Sequence, residues 1–411
     1  MKKTDFLRTA TSVIFFALCL SFSAQAGAPG SRARVGKPLP LWKEGFFDIH
    51  NINTGRGECL FLIFPDGTSM VIDSGEVPYT KNSRYESAAQ KPSDDRRPTE
   101  TQAAYVRHFL PSVCRDSVDY YLLTHFHNDH MGNLKMGRSV RDTAGNYVLF
   151  GTANFYRLQP FRKIVDRDYP QYDTARMKSW SVKELPHYKK FVKYSVENRS
   201  LVAEKFEVGV STQFPMRYKS GKYPGSSVFN WGASGCVWNG EEVVDMYADK
   251  VMRENGASCC NLFTYGPFDF YTGGDAGTNT EVEYPIARAI GRKLSAMKAT
   301  HHFSWYTMDS TVVNIFCPKV ILSPSFNSHQ PDMPTLLSVL DNPCHPDVFV
   351  SNVPAAAVEK FPEIVSRIKG RDGHFVLSVC PGGKWFYVYK VDDTLEGYIV
   401  TDIYGPYSSA H

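Results

Sequence analysis

The segment Leu122-Leu123-Thr124-His125-Phe126-His127-Asn128-Asp129-His130-Met131-Gly132 decides how this chain reads. Three imidazoles and a carboxylate crowd into the six residues from His125 to His130, directly after the apolar run 118–123. Such groups are costly to bury unless something binds them. On an extended stretch alternate side chains share a face, so His125 and His127 point to one side. A turn at Asn128 then brings Asp129 and His130 back toward the same place. Nitrogen and carboxylate donors suit zinc, with manganese or iron as alternatives. The competing account, a solvated polar loop, does not explain why the histidines follow an apolar strand without a break.

Upstream, residues 46–52 alternate as a strand does, and 59–64 form a second strand. Pro65-Asp66-Gly67-Thr68 is a turn, and 70–72 a third strand that ends at Asp73-Ser74-Gly75. Residues 79–98 are polar and read as a loop; 100–110 have helical spacing. This strand–helix–strand order predicts an α/β layered fold with the site at a strand's C-terminal end. Between about 150 and 250 the chain turns aromatic and basic, with Tyr156, Phe161, Tyr169, Tyr172, Trp180, Tyr188 and Trp231. This stretch reads as a large insertion, helical over 189–198 and otherwise loop. A hairpin over 262–271 turns at Gly266-Pro267 and runs into Gly273-Gly274-Asp275. A helix is expected over 284–294, then a short strand over 296–300 that ends on His301-His302. Further strands are expected at 320–322, 348–351, 375–379 and 385–391. No internal period of repeat length is present.

Lys2, Lys3 and Arg8 precede an apolar run at 11–22 that is short for a bilayer span, and Ala24-Gln25-Ala26 offers small residues before Gly27. Residues 1–26 are therefore expected to be a signal peptide, 27–42 a Gly/Pro/Arg-rich linker, 43–405 one domain carrying the histidine cluster and 406–411 a tail. The expectation is an exported protein, periplasmic, secreted or at the outer surface, with no later transmembrane span. The formal charge is +4, and Lys2, Lys3 and Arg8 against Asp5 leave about half of it in the leader. Charge thus gives no argument for nucleic acid, which stays open only as a polymer substrate. Aromatic content of 14% points to a thick core or an aromatic-lined groove. Of nine cysteines, eight follow the leader without CxxC spacing. They read as small buried hydrophobes; export would permit disulfides, but the sequence does not pair them. Nor does it give an oligomeric state.

The histidine cluster is similar to the HxHxDH signature of the metallo-β-lactamase superfamily, and three other segments fall in that family's order. Met70–Gly75 (MVIDSG) resembles the strand and acidic turn before the signature. Tyr271–Asp275 (YTGGD) resembles the motif with a metal-bridging aspartate, and Lys298–Ser304 (KATHHFS) the last histidine motif. Asn53–Ile63 (NTGRGECLFLI) resembles the "GQGDAxLI" opening of one branch, which contains the hydrolase domain of the competence protein ComEC and phosphorylcholine esterase. Residues 255–265 and 268–275 resemble that branch's "NxxSLVLxxxYGxFxxLLTGD" stretch.

The resemblance implies an α/β fold, a four-layer αββα sandwich carrying the large aromatic-rich insertion, with one or two zinc ions. By position, His125 and His127 would hold the first metal. Asp129, His130 and one of His301 or His302 would hold the second, with Asp275 between them. His302 aligns with the residue before the family's glycine, which Phe303 replaces here. Asp73 would support a ligand histidine. Asp129, His130 and Asp275 would then lie nearest the reacting atoms. Many superfamily members add another histidine to the first metal between signature and bridging aspartate; the one histidine in that interval is His187. His187, Arg167 and His329 are candidates for substrate contact, against an exposed helix start, an internal salt bridge and a loop position respectively.

Zinc lowers the pKa of bound water to about 7, so such a site makes hydroxide near neutral pH. The expected function is an exported metal-dependent hydrolase of phosphodiester bonds in a small-molecule or polymer ester. The alternatives are a lactonase or β-lactamase-type hydrolase of cyclic esters or amides, with the insertion as a lid, and a metal-binding scaffold without turnover.

Overall fold

The computed structural model describes residues 29–80, 86–137, 140–173, 176–177 and 183–410. The expected signal peptide, Trp180 and the terminal His411 lie outside the described residues. Among those described, two nine-stranded sheets stack face to face. The first runs, in spatial order, Val400–Ser408, Trp385–Val391, His374–Val379, Phe47–Asn51, Leu60–Ile63, Ser69–Ile72, Val118–Leu123, Phe161–Asp166 and Val202–Lys205. The second runs Val243–Asp245, Cys236–Trp238, Ser226–Ala233, Cys260–Tyr265, Phe268–Thr272, Ala296–Lys298, Val320–Ser323, Asp347–Val350 and Gly370–Arg371.

Period-two alternation sorts each strand's side chains between two layers. Leu60 and Leu62 point into the space between the sheets, where they join Phe47, Ile72 and Leu122 from the first sheet and Phe263, Phe270, Leu322 and Phe349 from the second. Their neighbours Phe61 and Ile63 point outward, onto Tyr105 and Phe109 of the helix Pro98–Phe109, together with Phe155 and Phe191. The second sheet does the same. Leu262, Met297 and Ile321 face outward against Ile286 of Glu283–Ile290, Val313 of Ser310–Phe316 and Leu336 of Met333–Leu340. Full burial of one such side chain stabilises by about 1.5–3 kcal/mol, so both faces of both sheets contribute to the core. The fold is the four-layer αββα sandwich.

Four parallel strands meet a matching set across the sandwich. Ser69–Ile72, Val118–Leu123, Phe161–Asp166 and Val202–Lys205 are parallel in the first sheet. Phe268–Thr272, Ala296–Lys298, Val320–Ser323 and Asp347–Val350 are parallel in the second. Their C-terminal ends deliver Asp73, the His125–His130 turn, Asp275 and His301-His302 to one edge.

Three expectations need correction. The described residues of the segment 150–250 contribute five strands, two at an edge of the first sheet and three at an edge of the second, besides the helices Gly151–Leu158 and Leu185–Asn198. Its short strands, such as the largely exposed Val202–Lys205, lack a clean alternation. Its aromatic residues Tyr156, Phe161, Tyr172 and Tyr188 are buried in the outer core rather than arranged as a lid. Residues 29–42 are not a free linker: Arg32 pairs with Asp48, Leu39 is buried, and Gly36 N donates to Val400 O at 2.8 Å. The tail begins later than expected, because the last strand continues to Ser408 and Tyr407 donates to Asp347 at 2.6 Å. Cys317 and Cys344 form a disulfide, while Cys59, Cys114, Cys259, Cys260 and Cys380 are buried free thiols. No helix among the described residues is long and apolar enough to cross a membrane.

Candidate metal centre

The strand Val118–Leu123 leads into Thr124, and the chain bends at Phe126 and His127 before the single turn Asn128–Met131. This turn lies tight against the loops holding Glu58 and Asp73. Glu58 N donates to Asp129 O at 2.9 Å, Gly75 N to Glu58 O at 2.8 Å, and Ser74 N to His130 O at 3.0 Å. Gly75 is required here, because a Cβ would stand 1.8 Å from Asp129 O.

Asp73 has a left-handed backbone, φ 62°, and spends both oxygens on this turn. Oδ1 accepts from Thr124 N at 2.8 Å, while Oδ2 accepts from Thr124 Oγ1 at 2.7 Å and lies 2.7 Å from His130 Nδ1. With Nδ1 held, the His130 ring presents Nε2 to the centre, 3.2 Å from Asp275 Oδ2. Asp275 follows the strand Phe268–Thr272 and is fixed at its backbone, where N donates to Ser258 Oγ at 3.1 Å. Its side chain lies 3.7 Å from His125 Nε2, 3.6 Å from His301 Nε2 and 3.3 Å from His302 Nε2.

His301, His302 and Phe303 are consecutive left-handed residues with φ of 49°, 55° and 58°. Each costs on the order of 1–2 kcal/mol for a residue with a Cβ. Phe303, the departure from the resembled motif, is held there by complete burial in the outer core. The turn sends the two imidazoles to different places. His302 is buried, with Nε2 at 3.3 Å from His130 Nε2 and 3.4 Å from Asp129 Oδ2. His301 is 24% exposed and reaches Asn255 Nδ2 at 3.4 Å.

Two groups of donor atoms, each within 4.8 Å of one another, result: Glu58, His130, Asp275 and His302 in one, and His125, His127 and Asp275 in the other. Asp275 belongs to both, and His125 Nε2 lies 3.1 Å from His127 Nδ1. Asp129 and His301 rim these groups rather than join them. Both oxygens of Asp275, Oε1 of Glu58 and Nδ1 of His302 are buried without a hydrogen-bond partner. Unsatisfied buried polar atoms of this density are rare in folded proteins. A set of imidazoles around an unsatisfied carboxylate fits zinc, manganese or iron.

The charges agree. Burial pushes His125 well below the usual histidine range, and His301 down to about 4. Burial also opposes the cations of His130 and His302, but nearby carboxylates outweigh it. Asp275, Asp73 and Asp129 hold His130 well above its usual range, and Asp275 with Asp129 lifts His302 to about 9. Asp275 is kept ionised against its own burial chiefly by His130 and His302. Protons on His130 and His302 therefore occupy the place a divalent cation would take.

The outlying candidates sit elsewhere. His187 Nδ1 accepts from Val148 N at 3.3 Å near the start of Leu185–Asn198 and is absent from both donor groups. Arg167 makes a two-pronged pair with Glu254 at 2.8 and 3.0 Å and lies over the Phe126 ring, which uses it internally. His329 is exposed in a loop whose Phe326 packs on His302. Sequence reasoning missed Glu58 and Lys298. Lys298 is buried 2.7 Å from Glu58 Oε2 and 4.0 Å from Asp275 Oδ1.

No family model matches the chain, and no curated protein matches it. Among solved structures, it is similar to CmlA, a diiron β-hydroxylase from Streptomyces venezuelae, at 10% identity and a TM-score of 0.40. A mutant form of the CmlA β-hydroxylase matches at 11% identity with the same TM-score. Each match covers 83% of this chain and 55% of the other, so the chain spans about half the length of those proteins.

Proposed function

We propose that this chain is a metal-dependent hydrolase of phosphodiester bonds, exported by its N-terminal segment and using zinc, with manganese or iron as alternatives. The observation that carries the reading is Asp275. Its two oxygens are buried without a hydrogen-bond partner between two donor groups that share it. His125 and His127 would hold one ion, His130 and His302 the other, and Asp275 would reach both. A bound ion supplies Lewis acidity and draws the pKa of water toward about 7.

The chain's own residues then divide the work. Asp73 orients His130 through Nδ1, and the buried His125 stays neutral, as a ligand must. Asp129, 20% exposed, turns Oδ2 toward His302 Nε2 at 3.4 Å and His130 Nε2 at 3.8 Å, where it adds negative charge at the rim of the donor groups. His301 is uncharged near neutral pH and 24% exposed, and its Nε2 can bind a substrate oxygen. The exposed rings of Trp305 and Tyr306 follow in the same loop and can bear on an apolar part of the substrate. The preference for a phosphodiester rests on the resemblance of residues 53–63 and 255–275 to the branch named above.

The test sets metal-loaded protein against bis-p-nitrophenyl phosphate, nitrocefin and an acyl lactone side by side. Turnover of the phosphodiester alone is expected. Turnover of nitrocefin or lactone alone would overturn the substrate class, and metal uptake with no turnover of any of them would overturn the enzyme reading.

A further inference from the structure

Beneath His302 lies a buried ion pair that the proposed reaction does not use. Glu58 and Lys298 are both fully buried and meet at 2.7 Å through Glu58 Oε2. That oxygen is also 3.4 Å from His302 Nδ1. The same two side chains each carry a buried atom without a hydrogen-bond partner: Glu58 Oε1, an acceptor, and His302 Nδ1, a donor whenever Nε2 is given to a metal. An isolated buried ion pair seldom returns its desolvation cost, so a pair with a second partner in reach points to more than stability.

The arrangement repeats the one across the centre. Asp73 lies on the Nδ1 side of His130, and Glu58 lies on the Nδ1 side of His302, while the two Nε2 atoms face each other at 3.3 Å. His301 has Asp275 Oδ2 at 3.6 Å from Nε2 and the Asn255 amide at 3.4–3.5 Å, but among the described residues no ion pair is found between a carboxylate and its Nδ1. Asp73 is held by the Thr124 backbone and hydroxyl; Glu58 is held by Lys298, which also stands 4.0 Å from Asp275 Oδ1.

We propose that Glu58, clamped by Lys298, is the positioning carboxylate of His302, and that this pair makes His302 rather than His301 the metal-bound member of the double histidine. The inference rests on the metal centre proposed above and deepens it. Glu58 accepts from Nδ1, fixes the ring with Nε2 toward Asp275 and raises its basicity as a ligand. Lys298 keeps the added carboxylate from making the site too negative and stops it from swinging onto the ion itself.

The test is a Zn2+ titration of the full chain against a competing chromophoric chelator, repeated with Co2+ to read the visible ligand-field spectrum. The double variant Glu58→Gln/Lys298→Met removes both charges together, so neither is left buried alone. One ion is expected to bind about 10–100-fold more weakly, the usual effect of losing such a support. The other ion should stay within about threefold, with the Co2+ spectrum shifted but not lost. His302→Ala should remove the affected ion, whereas His301→Ala should leave it. Should the double variant fail to fold, Glu58→Asp keeps the charge but withdraws the carboxylate by one methylene, and it should weaken the same ion. Unchanged affinity in the folded variants would overturn the inference and leave the metal centre standing. Complete loss of the ion in the double variant, as in His302→Ala, would make Glu58 a direct ligand and overturn it too. A wild-type chain that takes up no Zn2+ or Co2+ would contradict the metal centre itself, and the inference with it.

Discussion

His130 and His302 come from opposite sheets and meet through their Nε2 atoms at 3.3 Å, with Asp275 oxygens within 3.3 Å of each. Two imidazoles that close repel when charged, so a shared anion or a shared cation must account for the contact. The carboxylates supply the first in the metal-free chain, and a metal would supply the second.

Metal uptake should therefore release protons. Near pH 7.5 His302, lifted to about 9, and His130, held above its usual range, still carry protons that a cation must displace. Zn2+ binding followed calorimetrically in buffers of different ionisation enthalpy should show at least one proton released. Affinity should fall by about tenfold per displaced proton for each unit the pH drops below these pKa values. Uptake without proton release would contradict the charge assignment.

The two adjacent histidines should separate cleanly. His302→Ala removes a buried donor facing His130 and Asp275, and Zn2+ affinity at that site should fall by at least about 100-fold. His301→Ala removes a partly exposed ring outside both donor groups, and the metal content should hold while turnover falls. Metal analysis after dialysis, paired with a phosphodiester assay, measures both.

Much of the centre is readable in the sequence because each element announces itself by ending. Asp73, His125–His130, Asp275 and His301-His302 each close an apolar strand, and a polar group there needs a partner. Glu58 and Lys298 were equally visible in kind. Glu58 precedes Cys59-Leu60-Phe61 and Lys298 ends Ala296–Lys298, and a charge in such a run is buried only if paired. What linear sequence cannot give is that the two charges, 240 residues apart, meet each other. Between His301 and His302 the motif only leaned toward His302, by its place before the family's glycine; what separates the two rings is left-handed backbone at both, which residues with a Cβ do not announce. Edge strands such as Val202–Lys205 escaped because exposed edges lose their alternation, and Val400–Ser408 because Gly405-Pro406 reads as a turn.

Away from the centre, His374 should make the fold acid-sensitive. Burial lowers its pKa from 6.5 to about 3, and its Nδ1 accepts from Asn53 N at 2.9 Å, so the folded state needs it neutral. A base with a depressed folded pKa contributes stability that is present above pH 6.5 and is lost as pH falls toward the folded value. Between pH 7 and 4.5 the loss should be on the order of 3 kcal/mol. Urea unfolding at the two pH values checks it, and His374→Asn should flatten the dependence.

The Cys317–Cys344 bridge closes 27 residues around the strand Val320–Ser323 and the helix Met333–Leu340. Chain entropy assigns such a loop about 3.5 kcal/mol. Cys317→Ser/Cys344→Ser should lower the unfolding free energy by roughly that much and abolish its sensitivity to reductant. A variant as stable as the parent would mean the bridge does not form.

The most direct measurement is the zinc-to-protein ratio of the purified chain at equilibrium with Zn2+, for wild type and Asp275→Ala. Wild type should bind about two ions per chain, one held more tightly, because donor groups on both sides share Asp275. Asp275→Ala should weaken both at once. Zinc that never binds, or a ratio and affinities unchanged in Asp275→Ala, would contradict the two-ion centre.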